Sequence, residues 1–97
     1  MIIEKAHLHI GADNVTAFEA AWREAAPIFA RTPSCHGAAL YRGIEQPSEY
    51  TLLVQWASVA AHEAFRKTDD FAEWRQLVGH HFTQSPSVSH MVAVETP

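Results

Sequence analysis

A single cysteine, Cys35, occurs in 97 residues. With no second thiol there is no internal disulfide and no thiolate-rich zinc site, and the scarcity suits a reducing compartment. Basic residues are also few. Seven Lys and Arg stand against eleven Asp and Glu, a formal charge of −4, and they are scattered rather than aligned. Nucleic acid, which demands a phosphate-neutralising basic face, is excluded as a partner. No window approaches the roughly 20 apolar residues that a bilayer crossing needs, so no membrane partner is expected. The opening residues MIIEKAHLHI show no basic region followed by a long apolar stretch and a small-residue cleavage site, so a cytoplasmic location is expected. Internal repeats, low-complexity tracts and interdomain linkers are missing as well.

What is present is a chain with 47% apolar and 19% charged residues. Its length predicts one domain over 1–97 that buries roughly two-thirds of its unfolded surface, a size at which oligomerisation helps. Residues 2–10 alternate, with Ala6, Leu8 and Ile10 on one face and Lys5, His7 and His9 on the other, as in a strand with one drier side. Asp13 or Asn14 is placed to cap a helix. In it Phe18, Trp22, Ala25 and Phe29 recur at helical spacing, and Pro27 predicts a kink or an early loosening near the helix end. The run RTPSCHG reads as a loop carrying the thiol.

Next, HGAALYRGIE and EYTLLVQWA, separated by QPS, predict a hairpin. Tyr50, Leu52, Val54 and Trp56 share one face of the second run. Ser58 caps a short helix to about Lys67, and Thr68 caps another with Asp69 and Asp70 in its first turn. Phe71, Trp74, Val78 and His81 or Phe82 form that helix's inward stripe. SVSHMVAVE then predicts a last strand bearing Val88, His90, Val92 and Val94 on one face.

The order predicts an α+β, ferredoxin-like βαββαβ fold with a split second helix and an antiparallel four-stranded sheet. The sheet face away from the helices would hold Leu53, Met91, Ala39, Tyr41 and Ala93 beside Thr51 and Gln55. That surface is too apolar to leave in water, and pairing two such sheets in a homodimer would cover it.

The stretch YTLLVQWASVAAHEAFRKTDDFAEW, followed by PSVSHMVAVE, resembles the antibiotic biosynthesis monooxygenase family of dimeric α/β-barrel proteins. The likeness lies in Trp56 then Ser58 at a strand end, Phe65 in the next helix, then Thr68, Asp69 and Phe71. It spans the chain in element order and is detailed over residues 50 to 95. The resemblance implies a cavity in each subunit between helices and sheet, and a choice among activities that the family hosts. These include oxygenation of polycyclic phenols without metal or flavin, and haem degradation. Ungapped matching puts Ala6, Phe65 and Arg75 where haem degraders carry Asn, Trp and His, which argues against haem and leaves no cofactor expected.

Cofactor-free oxygenation needs an electron-rich phenol or hydroquinone, a water-poor pocket, donors for the developing phenolate and a base near neutrality. His81, in phase with Trp74 and Val78, is one candidate base; the alternative is that His80 and His81 merely occupy a helix C-terminus. His90 is a second candidate, or else a satisfied core histidine. Trp74 offers an indole donor, and Phe65, Phe71, Trp22 and Phe18 are either the aromatic wall of a small-aromatic site or core filling. Arg75, like Arg42, is a candidate for an acidic substrate group or a surface ion pair.

His7 and His9 share a strand face and could chelate a metal, but no third ligand is marked in the sequence, so no metal site is expected. A Ser, His and Asp triad lacks its nucleophile-elbow motif. The expectation is a homodimeric, cofactor-independent monooxygenase acting on a small phenol or hydroquinone. The alternatives are a non-catalytic barrel that binds a small ligand and an isomerase or lyase of the same superfamily.

Overall fold

The alternation in the first segment organises the sheet. We describe residues 1–96 from a computed structural model; Pro97, the last residue of the expected domain, lies outside the described residues. Strand β1 (Ile2–His9) lies between two antiparallel neighbours, β3 (Glu49–Trp56) on one side and β4 (Ser87–Met91) on the other. Strand β2 (Cys35–Arg42) completes the sheet in the order β2-β3-β1-β4, the ferredoxin-like arrangement expected.

Glu4 pairs with Val54, Ala6 with Leu52 and Leu8 with Tyr50. The period-2 geometry therefore aims these residues at the helices, and His7, Thr51 and Leu53 at the other face. Four helices cover the first face: α1 (Val15–Ala25), α2 (Pro27–Ala30), α3 (Val59–Phe65) and α4 (Asp69–Val78). Phe18 from α1 is fully buried with its ring 4.8 Å from that of Tyr50. Phe29, Phe65, Trp56 and Trp74 continue the aromatic core.

The breaks have local causes. Pro27 has no N–H to give, so the first helix interrupts at Ala26 and resumes with Pro27 in its first turn. Ser58 Oγ accepts from the Ala61 N–H at 3.0 Å, and Thr68 Oγ1 from the Phe71 N–H at 3.2 Å, so the split second helix carries a side-chain cap on each half. Gly43 opens the hairpin loop under tight constraint: a Cβ there would fall 2.6 Å from the Gln46 carbonyl oxygen.

Four expectations need correction. Neither Asp13 nor Asn14 caps by its side chain; a 3-10 turn over Ala12–Asn14 leads into α1 instead. Cys35 begins β2 rather than lying in a loop, and that strand ends at Arg42. Helix α4 stops at Val78 and tightens into a 3-10 turn over Gly79–His81, because the glycine weakens the last turn. Strand β4 stops at Met91, opposite Ile3 of β1, with Val92 and Val94 exposed beyond it.

Two substitutions separate core from cap. Leu52→Ala, at a site 2% exposed, is expected to cost about 2–5 kcal/mol and Thr68→Ala about 1 kcal/mol, read from denaturant unfolding. Equal effects would contradict the packing described.

Candidate functional site

Between the sheet and the split helix lies a cavity of about 280 Å³. Glu4, Ala6 and Leu8 line it from β1, His62 and Arg66 from the first half-helix and its end, Phe71, Trp74 and Arg75 from α4, and Val88 from β4. A larger, more open groove of about 660 Å³ lies beyond α1. Its charged groups are already engaged: Glu19 accepts from Tyr50 Oη at 2.7 Å and from Arg42 at 3.1 Å. The smaller cavity has free polar groups and is the better site.

Its polar centre is Glu4, a carboxylate 7% exposed among apolar neighbours. Glu4 Oε1 accepts from Trp56 Nε1–H at 2.9 Å and lies 3.2 Å from His62 Nε2. The imidazole of His62 stacks on Trp56 with ring centres 5.2 Å apart. Its other nitrogen, Nδ1, shares a hydrogen bond of 2.8 Å with Nε2 of His90 on β4, the residue directly opposite Glu4 in the sheet. A chain of three titratable groups thus runs from the cavity lining to an exposed imidazole.

Burial sets the charges. Desolvation raises the Glu4 pKa above the ordinary carboxylate value, against the Trp56 hydrogen bond and the nearby His90 and Arg66, which lower it. Burial likewise lowers His62, to about 4, helped by His90 and Arg66. His62 is therefore neutral at neutral pH. It can then accept a proton at one nitrogen and donate from the other.

The aromatic residues divide. Phe71 and Trp74 line the cavity, and the Trp74 indole N–H is buried without a hydrogen-bond partner. Phe18 and Phe65 belong to the solid core, and Trp22 borders the two grooves beside α1. Arg75 lies on the lining with its guanidinium 5.9 Å from the Phe71 ring centre. Arg42 is ion-paired with Glu19 at 3.1 Å.

The histidines divide too. His81 sits in the 3-10 turn against Phe18, with ring centres 6.1 Å apart, and is not among the cavity-lining residues. The reason is the end of the α-helix at Val78, which breaks the phase that put His81 beside Trp74. Burial, then His80, lowers its pKa. His90 is exposed rather than buried in the core. Sequence reasoning passed over Glu4 and His62. The signal for Glu4 was available, since an acid in phase with Ala6 and Leu8 belongs to the dry face of β1; His62 gave none.

On the sheet's other face a third side chain does converge on the histidine pair: Glu49 Oε1 lies 2.8 Å from His7 Nε2 and 3.5 Å from His9 Nε2. Cross-strand pairing of His9 with Glu49 brings it there.

A sequence profile for antibiotic biosynthesis monooxygenase matches residues 1–77. The chain belongs to the antibiotic biosynthesis monooxygenase family. The match includes β1 and the first helix, beyond the detailed likeness over residues 50 to 95. An uncharacterised Bacillus subtilis protein, YczJ, is 35% identical over 91 residues, covering 93% of this chain and 96% of its own. A crystal structure of a Bordetella bronchiseptica protein, described as a candidate antibiotic biosynthesis monooxygenase, superposes with TM-score 0.93 at 43% identity over 97% of both chains. A variant of SnoaB, a cofactor-independent oxygenase from Streptomyces nogalater, superposes with TM-score 0.82 over 98% of this chain and 94% of its own. At 18% identity that likeness concerns the fold alone.

The buried chain has measurable consequences. His62 is protonated more readily unfolded than folded, so its contribution to stability falls as pH drops from its ordinary value near 6.5 towards about 4. Ring-nitrogen NMR is expected to find His62 neutral at about pH 5; protonation already at about pH 6 would contradict the burial. Glu4 acts with the opposite sign, because its raised pKa makes the ionised form costly above the ordinary carboxylate range. Glu4→Gln keeps an acceptor for Trp56 and is expected to hold or raise stability at pH 7. Glu4→Ala strands the indole N–H and is expected to lose about 1–3 kcal/mol in thermal or denaturant unfolding.

Proposed function

We propose that this protein is a cofactor-independent monooxygenase that oxidises a small phenolic or hydroquinone-type molecule in the cavity between its sheet and split helix. The observation that carries the reading is a buried carboxylate of raised pKa on the cavity lining, with a neutral imidazole and a surface imidazole behind it. Glu4 takes the phenol proton, and His62 and His90 pass it to solvent. Arg66 and Arg75 supply positive charge for the phenolate, and the unpartnered Trp74 N–H donates to a substrate oxygen. His81 has no part, as it lies off the lining.

Once deprotonated, an electron-rich phenol reduces dioxygen itself. A carbon–oxygen bond forms at a ring carbon that bears hydrogen, para to the hydroxyl of a phenol or ortho to one of a hydroquinone, that hydrogen leaves, and one oxygen atom departs as water. The sum is phenol plus dioxygen giving para-quinone plus water, with no external reductant. A volume of about 280 Å³, just below the usual range for ligand pockets of about 300–1,000 Å³, favours one or two fused rings.

The exposed apolar surface supports a homodimer. Tyr41 and Met91 are 57% and 40% exposed on the helix-free face, and Val92 and Val94 extend past the end of β4. Two such faces packed together would remove them from water. A cytoplasmic setting agrees with the lone cysteine and with the lack, among the described residues, of a helix long and apolar enough to cross a membrane.

Oxygen-electrode assays of chelator-treated protein with a panel of hydroquinones, naphthols and anthrones test the reading. Turnover is expected with at least one, reduced roughly 10²–10⁴-fold by Glu4→Gln, with one oxygen atom of labelled dioxygen in the product. No uptake across the panel overturns the oxygenase. Binding without uptake points to the ligand-holding alternative, and an isomerised product to the lyase or isomerase class. Small-angle scattering in dilute solution is expected to give twice the chain mass; a single-chain mass removes the dimer.

A further inference from the structure

Outside the cavity, one cluster of side chains has the composition and spacing of a ligand set. His7 and His9 project from the same face of β1, two residues apart, and β3 begins with Glu49 directly opposite His9. One donor atom from each of the three lies within 4.8 Å of the others. Both imidazoles turn an Nε2 toward the same carboxylate oxygen, at 2.8 and 3.5 Å. The rings of His7 and His9 meet edge to face with centres 4.6 Å apart. Among the described residues the His9 imidazole has no other polar partner, and its Nδ1 is buried and unsatisfied.

Around a tetrahedral zinc ion, with bonds of about 2.0–2.2 Å, neighbouring ligand atoms sit about 3.4 Å apart. The observed separations bracket that spacing, so small side-chain rotations would seat all three ligands on one ion. Two imidazoles and one carboxylate suit a borderline divalent transition ion, whereas magnesium and calcium favour all-oxygen shells. All three residues are half-buried. Their backbone is held by the inner strands of the sheet, so the site needs little ordering on binding.

We propose that His7, His9 and Glu49 form a binding site for zinc, or a divalent ion like it, on the sheet face opposite the cavity. The ion would tie the end of β1 to the start of β3, and this chain would leave its fourth position open at that end of the face proposed to pair in the dimer. It stands apart from the cavity, because alternation along β1 sends Glu4, Ala6 and Leu8 through one face and His7 and His9 through the other. It has no role in the oxidation proposed above.

Isothermal titration of untagged, chelator-stripped protein with zinc chloride tests the site. Saturable binding of up to one ion per chain is expected, with an upward shift in melting temperature. Glu49→Gln and His9→Asn are each expected to weaken affinity by about tenfold or more. The double variant His80→Ala with His81→Ala, which removes the other adjacent imidazole pair, leaves affinity unchanged. Should Glu49→Gln melt below 37 °C, cobalt(II) titration of the unaltered protein supplies the second readout: visible d–d bands, with His7 and His9 ring resonances broadened first. No saturable binding, binding unchanged in Glu49→Gln, or loss on removal of His80 and His81 overturns the proposal. Oxygen uptake is not a readout here, so failure of this site and failure of the oxygenase are separate results.

Discussion

The register of β1 between β3 and β4 is the constraint on which the rest depends. One strand supplies both faces of the sheet. With Ala6 opposite Leu52, its even-numbered residues enter the core and its odd-numbered histidines face outward. A slip of one residue would send His7 under the helices and Glu4 into solvent, exchanging the whole apolar set for the polar one. The cost of burying imidazoles in place of Ala6 and Leu8 excludes that alternative. Pairing on both sides secures the register, and the Thr83 N–H bond to the His9 carbonyl at 2.9 Å closes the strand's end.

Within that register, Glu4 is the single acid on an otherwise apolar face. A carboxylate in such a place is tolerated only if its charge is answered. Trp56 answers with a donor, His62 with a polar contact backed by His90, and Arg66 with long-range positive charge. These groups come from β3, from α3 and its end, and from β4. Their convergence gives the cavity a polar centre, while Phe71, Trp74 and Leu8 keep its walls largely apolar. That combination separates this cavity from the larger groove near Glu19, where the charges neutralise one another at the surface. The family hosts several chemistries on one scaffold, and here the side chains inside the cavity carry the distinction.

Several elements were legible because their signals are local. Ser58 and Thr68 announce the two halves of the split helix through cap chemistry, and Pro27 announces the break in the first. Alternation in residues 2–10 and 50–56 gives the inward and outward sets directly. His81 is the instructive miss: its apparent phase with Trp74 assumed an α-helix that ends three residues earlier. His62 was silent for the opposite reason. Between alanines and a glutamate on a short helix, it looks like any surface polar residue until Trp56 stacks beneath it.

The sequence by itself determined the order of elements, the core-facing sets of β1 and β3, the caps of the split second helix and the family, since each follows from spacing and residue type within a few positions of the chain. The tertiary structure alone decided which polar groups meet. Glu4 and His62 are 58 residues apart and His9 and Glu49 are 40 apart, and no local rule reports that strand pairing and helix packing bring their side chains together. Burial, which raises one pKa and lowers the other, is likewise a property of the assembled interior and not of either residue's neighbours in the chain.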